Sequence, residues 1–382
     1  MVFEKNRYID ELRIYRRELH KMPEVGFCEV DTSRYIREKL ESFGYEVRSV
    51  AKTGLIAFMA GENIEESIAF RADMDGLKIL EETNVEFESE NYDYMHACGH
   101  DGHMSALLGF ARRLKENHSS LSCNVLLVFQ PAEESPGAAA QVVESGVFEK
   151  YNVKAIFGMH LMPFIEEGVI ACKKGPLMAM CGELDVKIYG KGAHAGLPQE
   201  SIDSIMIANQ ALQQYQTIIS RRISPFSPAV INIGQINGGS ARNSVASLTT
   251  MHGTLRCYDE NLFIKVTQDI DSIHKSLEMA YGCSIEWSCP PLYPPVLNDD
   301  HLYKVFRNIV DEDIYIELKE PLMLAEDFSF YQKAIPGIFF FLGTKCQEYQ
   351  SGLHTETFNF HEEVLEKAID LYEKIVMNLK GE

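Results

Sequence analysis

The sequence lacks a long apolar run. The nearest candidate, Ile335 to Gly343 (IPGIFFFLG), is the length of a strand and too short for a membrane-spanning helix. The opening residues, MVFEKNRYIDEL, are charged from residue 4 and contain no apolar h-region, so no secretory leader is expected. Basic residues are scarce: 36 Lys and Arg stand against 56 Asp and Glu, a formal net charge of −20. Nucleic acid and anionic membranes would repel such a chain. The 9 cysteines are odd in number and scattered, with no Cys-x2-Cys pair. This excludes the usual structural-zinc spacing and fits reduced thiols in a cytoplasm better than a disulfide frame. There is no G-x-S-x-G elbow for a serine nucleophile, no internal repeat and no low-complexity tract. What remains is 382 residues, 46% apolar and 24% charged, the composition of a soluble enzyme of two or three domains.

The first half alternates two patterns. Helical periodicity covers residues 5–20, 103–117 and 137–145. Another helix is expected from Asp31-Thr32, as caps, to Phe43, where Gly44 ends it. Between these lie GLIAFMAG (54–61), SIAFRAD (67–73), NVLLVFQ (124–130) and VKAIFGMH (153–160), with few polar positions, as in strands buried on both faces. This rhythm predicts a mainly parallel sheet flanked by helices. Near residue 182 the pattern changes. ELDVKIYG (183–190), AVINIGQI (229–236) and SLTTMHGTLR (247–256) alternate apolar with polar, and helices are expected at 201–221 and 260–280. This block reads as a small α+β domain with one open sheet face. The proline-rich 289–299 reads as a linker, followed by a helix at 300–311, the strand GIFFFLG and a helix at 361–378. The expected organisation is an α/β domain, 1–182 plus 294–382, interrupted by an inserted domain, 183–293.

Chemistry concentrates in MHACGHDGHM (95–104), which packs three histidines, a cysteine and an aspartate into one glycine-broken segment. In open α/β sheets ligands bind outside the carboxyl ends of the strands. There the chain offers Asp73 and Asp75, Glu133-Glu134, His160 and, after GIFFFLG, His354. The expected metal ligands are Cys98, His100, Glu134, His160 and His354. Thiolate, imidazole and carboxylate are the zinc inventory, which manganese, cobalt or nickel also use. Five mixed donors exceed one tetrahedral ion and suggest two divalent cations. Neighbouring residues of a strand point opposite ways, so past a strand end Glu134 is assigned to metal and Glu133 to general-base duty on an activated water. His96, Asp101 and His103 fit either partners that orient the ligands or capping and surface residues. Gly190-Lys-Gly192-Ala-His-Ala-Gly196 imitates a dinucleotide fingerprint, but its third glycine comes one residue late and the preceding strand alternates.

RADMDGL (71–77), HACGHDGH (96–103), FQPAEE (129–134), GMH (158–160), GKGAHAGLP (190–198), GGSARN (238–243), GTLR (253–256), AEDFS (325–329) and LHTETFNF (353–360) together resemble the metal-dependent amidohydrolases. That group includes aminoacylase-like enzymes, hippurate hydrolases, indole-acetyl-amino-acid hydrolases and N-acetyl-diaminopimelate deacetylases. The resemblance implies a zinc-peptidase-like catalytic domain with an inserted lid used for dimerisation, two divalent metals on the five ligands above, and Glu133 as base and proton shuttle. It also implies that His194 polarises the scissile carbonyl, that Asn243 grips a substrate carboxylate with help from Arg256, and that Asp73 orients ligands. Gly76, Lys78, Ala246, Leu324 and the TETFNF stretch depart from the family pattern in loops that line the substrate pocket. The expected activity is hydrolysis of small N-acyl amino acids by a homodimer or homotetramer. A dipeptidase or carboxypeptidase-type exopeptidase, an inactive metal-binding homologue and a structural zinc domain are the rival readings.

Overall fold

A computed structural model of the chain describes residues 2–61, 65–117, 121 and 123–379. It divides into two compact units: Met1–Leu177 with Leu297–Glu320 and Asp327–Glu382, and Met178–Val296 with Pro321–Glu326.

The larger unit is built on an eight-stranded sheet. Its strands are β1 (Val47–Val50), β2 (Gly54–Met59), β3 (Ser67–Asp73), β4 (Asn124–Gln130), β5 (Val153–Glu166), β6 (Ile170–Cys172), β7 (Tyr315–Glu317) and β8 (Gly337–Lys345). Their order is β1-β2-β4-β3-β5-β8-β6-β7. The central run β4-β3-β5-β8 is parallel, as is β6-β7, whereas β1-β2, β2-β4 and β8-β6 are antiparallel. The sheet is therefore mixed, and GLIAFM joins it antiparallel instead of continuing the βαβ series. β3 and β4 are buried along their whole length, which is why they read as runs with few polar positions. Alternation along β3 sends Phe70 to one face and Arg71 to the other. Phe70 meets Phe110 of α3 (His100–Asn117) and Tyr372 of α5 (Leu365–Asn378) at 4.8 and 4.9 Å between ring centroids. α1 (Val2–His20), α2 (Val30–Ser42) and α4 (Asp300–Ile309) complete that layer. Arg71 instead faces Gln130 and Asp327, beside the short helices Ala139–Glu144 and Ser329–Ala334.

Several expectations are corrected. The cap of α2 is not Asp31 or Thr32. Glu24 reaches back and accepts from both of their N–H groups at 2.9 Å. Gly44 does end the helix, at φ +88°. The helix expected at 137–145 is present as Ala139–Glu144, and a second short helix, Val147–Lys150, follows it after Gly146 (φ +75°). β5 runs on to Glu166, past His160, because β8 still pairs with it after β3 has ended.

The smaller unit is an antiparallel sheet in the order Ser284–Ser288, Met180–Tyr189, Leu248–Cys257, Ala229–Gly238. Burial alternates strictly along Glu183 to Tyr189, so Leu184, Val186 and Ile188 face a core completed by the helices Ser204–Thr217 and Glu260–Tyr281. Asp203 and Asp259 cap those helices by accepting from Ile205 and Met206, and from Leu262. The helix expected at 201–221 begins at Ser204 and finishes in a π turn, Ile218–Arg222. The expected linker 289–299 instead holds two short strands, Pro291–Tyr293 and Val296–Asn298. Pro291 is tolerated because its strand pairs on one side only, against Met180–Tyr189.

Candidate metal centre

β3 and β4 end side by side at Asp73 and Gln130, level with His160 in the middle of β5. Gly99 (φ +84°) turns the chain so that Cys98 and His100 face the same point, with His100 as the first residue of α3. Cys98 lies at the middle. Its Sγ is 3.3 Å from His160 Nε2 and 3.3 Å from His354 Nε2. His354 Nε2 is in turn 3.0 Å from Glu134 Oε1. Two donor groups result, Cys98–His100–His160 and Cys98–Glu134–His354, each with its ligand atoms within 4.8 Å of one another, and Cys98 belongs to both. Cys98 would be the donor common to both if two divalent cations were held here. Glu133 is buried (6% exposed) and forms a further such group with His100 and Glu134.

The imidazoles are held for ligation. His100 Nδ1 donates to the Asp75 carbonyl at 2.9 Å, and His160 Nδ1 donates to the Leu161 carbonyl at 2.6 Å. Each therefore turns Nε2 inward, the usual way an outer hydrogen bond fixes a metal-binding histidine. His100 Nε2 is buried without a hydrogen-bond partner among the described residues. Such an orphaned nitrogen in a mixed S, N, O cluster fits a divalent cation. Electrostatics agree. Burial works against a charge on His100, yet the Asp73, Asp75 and Glu134 carboxylates raise its pKa to about 10. Burial and the neighbouring Glu134 and Glu133 push the Cys98 thiol well up, so ionising it requires a cation. Burial lowers His160 to about 3, which leaves a neutral imidazole.

Three acids build the surroundings. Asp73 Oδ1 accepts from His103 Nδ1 at 2.6 Å, while His103 Nε2 accepts the Leu161 N–H at 2.9 Å. His103 is thus a support beside His160, their rings 4.7 Å apart. Asp75 accepts from the N–H of Glu133 through Oδ1 and of Glu134 through Oδ2, both at 3.0 Å. One carboxylate thereby positions both glutamates and, through its carbonyl, His100. Glu29 Oε1 takes the N–H of Ala132, whose φ of +51° makes the turn between β4 and the glutamates. Sequence reasoning did not find Glu29. A lone glutamate far from every motif gives no signal. Asp101 faces away from the centre, toward Arg16 and His20 at 3.0 and 2.8 Å. His96 is buried, and burial lowers its pKa to about 3.

His194 and Asn243 lie in the smaller unit. The Ala195 N–H donates to the Asn243 carbonyl at 3.0 Å, and both residues line an open cavity of about 800 Å³ with Asn237, Ser240 and Ser247. His194 is exposed, and its Nδ1 accepts the Gly196 N–H at 3.1 Å. Arg256, partly buried, donates to the Met323 carbonyl.

Comparison with known proteins gives this architecture a place. Residues 69–378 match the model of peptidase family M20/M25/M40. The IAA-amino acid hydrolase ILR1-like 4 of Arabidopsis thaliana is 37% identical over 380 residues, covering 96% of this chain and 85% of its own. The N-acetyldiaminopimelate deacetylase of Priestia megaterium is 38% identical over 366 residues, 94% of this chain and 96% of its own. Among solved structures, the Bacillus subtilis YxeP protein, described as a dinuclear metal binding peptidase of the M20 family, superposes with a TM-score of 0.85 at 32% identity, covering 98% of this chain and 99% of its own. The chain belongs to peptidase family M20/M25/M40 and is a metal-dependent hydrolase of the amidohydrolase kind.

Proposed function

We propose that this protein hydrolyses the amide bond of N-acyl amino acids, releasing a carboxylate and a free amino acid. The observation that carries the reading is the pair of donor groups sharing Cys98, with the Glu133 carboxylate alongside. Cys98, His100, Glu134, His160 and His354 would hold two divalent cations, zinc by their donor chemistry, with manganese, cobalt or nickel also accommodated. Such a pair, when bound, lowers the pKa of water and polarises a carbonyl. Glu133 takes the proton of the attacking water and returns it to the leaving nitrogen. His194 donates to the oxygen on which charge develops, and the Asn243 side-chain amide reads the substrate carboxylate. These two roles rest on the resemblance, supported by the shared cavity. Residues 183–293 would then act as lid and dimerisation domain of a homodimer or homotetramer. The relatives named for acylated amino acids favour this substrate class. The chain has no helix long and apolar enough to cross a membrane among its described residues, and its cysteines are free. The free cysteines support a cytoplasmic enzyme.

The test is a metal-supplemented screen of acetyl-, benzoyl- and indole-acetyl-amino acids against dipeptides. Turnover of the acyl amino acids, lost on chelation and restored by a divalent metal, is expected. Turnover confined to dipeptides would replace the reading with the exopeptidase one. No turnover of either class would leave only a metal-binding homologue.

A further inference from the structure

A second cluster of soft and hard donors lies apart from the centre, in the same unit. Glu167, Cys346 and His361 place one ligand atom each within 4.8 Å of the others. They come from three separate places. Glu167 lies in the turn between β5 and β6, held by its N–H to the Lys345 carbonyl at 3.1 Å and by the Gly168 N–H to the Gly343 carbonyl at 2.9 Å. Cys346 follows β8 directly. His361 immediately precedes the 3-10 turn Glu362–Val364. The turn and the end of β8 are thus fixed to each other by backbone hydrogen bonds, so Glu167 and Cys346 are neighbours by construction.

We propose that Glu167, Cys346 and His361 form a further site for a divalent cation of the zinc class, at the two ends of the loop that carries His354. The donor set is carboxylate, thiolate and imidazole, which with one water completes a tetrahedral ion. The imidazole is arranged as metal-binding histidines usually are. His361 Nδ1 faces Glu167 Oε1 at 2.9 Å, while Nε2 is 3.1 Å from Glu348 Oε2, which orients the ring from behind. Tyr349 packs edge-on against that ring, 5.1 Å between centroids, and its N–H donates to Cys346 Sγ at 3.3 Å. The three donors are exposed or half-buried, so a cation reaches them from solvent. An ion bound here staples residue 346 to residue 361 and closes the intervening loop, removing conformational freedom from the segment that presents His354. The site stands whether or not the catalytic reading is correct, because none of its residues belongs to the centre.

The experiment loads the metal-free chain with zinc(II) alone and counts bound metal by mass spectrometry in wild type, Cys346→Ser and His361→Gln, with far-UV circular dichroism as the check of folding. Both variants are expected to bind about one equivalent fewer than wild type, with hydrolysis by the zinc-loaded enzyme retained. A cobalt(II)-loaded Cys98→Ser chain separates the two sites. It should keep a thiolate-to-cobalt charge-transfer band that disappears when Cys346→Ser is added. Equal metal counts in wild type and both variants, or no such band in Cys98→Ser, would overturn the proposal. The cluster would then be an ion pair of His361 with Glu167 and Glu348. Loss of metal from Cys98→Ser reports on the catalytic centre alone.

Discussion

Arg71 is an arginine with no solvent contact, in the middle of a sheet, and replacing it by methionine tests the logic of the larger unit. Its Nη1 donates to Asp73 Oδ2 at 2.6 Å, its Nη2 to Asp327 Oδ1 at 3.1 Å and its Nε to Gln130 Oε1 at 2.8 Å, and both carboxylates are fully buried. Methionine fills similar volume but leaves two carboxylates without their shared cation. Asp73 still faces His100 and His103. Asp327 keeps the Gln130 amide and the N–H groups of Ala138 and Ala139, which are dipoles and not charges. Breaking a buried ion pair from one side costs about 3–5 kcal/mol. Asp327→Asn in the Arg71→Met background should recover part of the loss, a coupling that a double-mutant cycle reads directly. The assay is urea unfolding of the metal-free chain followed by circular dichroism, since bound metal would add its own stabilisation. An Arg71→Met chain within about 1 kcal/mol of wild type, or an Asp327→Asn effect that simply adds to it, would refute the reasoning.

Glu133→Gln should leave metal content unchanged and lower turnover by about 10²–10⁴-fold, the usual worth of a proton-transfer group; a variant of near-normal activity removes Glu133 from the mechanism. Asp75→Asn places an amide N–H against a backbone N–H of Glu133 or Glu134. It should cost about 1–3 kcal/mol of positioning, seen as a fall in kcat larger than any change in KM. His274, buried against the Tyr215 hydroxyl in the smaller unit, has its pKa lowered by burial from 6.5 to about 4. A histidine kept neutral in the fold contributes stability that is complete above pH 6.5 and is lost as pH falls toward 4, of order 3 kcal/mol. His274→Phe should abolish that component of the pH–stability profile, and an unchanged profile would contradict it. Gly158→Ala puts a Cβ 2.6 Å from Phe328 Cε2 and 2.7 Å from Phe339 Cδ2. Overpacking of this kind should lower the unfolding midpoint by the equivalent of about 1–3 kcal/mol.

The sequence by itself determined the elements whose chemistry is local. The buried strands β3 and β4 read as runs with few polar positions because both faces are covered. The alternation in Glu183 to Tyr189 declared a half-exposed sheet. The crowding of histidine and cysteine at 95–104 marked the segment whose Cys98 and His100 fall in the donor groups. Only the tertiary structure decided what depends on pairing between distant segments. Nothing in GLIAFM specifies that it lies antiparallel to β4, because a strand's direction is set by its neighbours. The prolines near 290 hid two short strands, each sustained by one partner of its own. His160 lies within its strand and not at its end, because β8 continues the ladder where β3 stops. Asp75 and Glu29 act on backbone N–H groups 58 and 103 positions away, and a hydrogen bond across such a separation leaves no periodicity to read. Side-chain identity is written residue by residue, whereas the meeting of Cys98, Glu134, His160 and His354 is a consequence of how the strands that carry or precede them share one sheet edge.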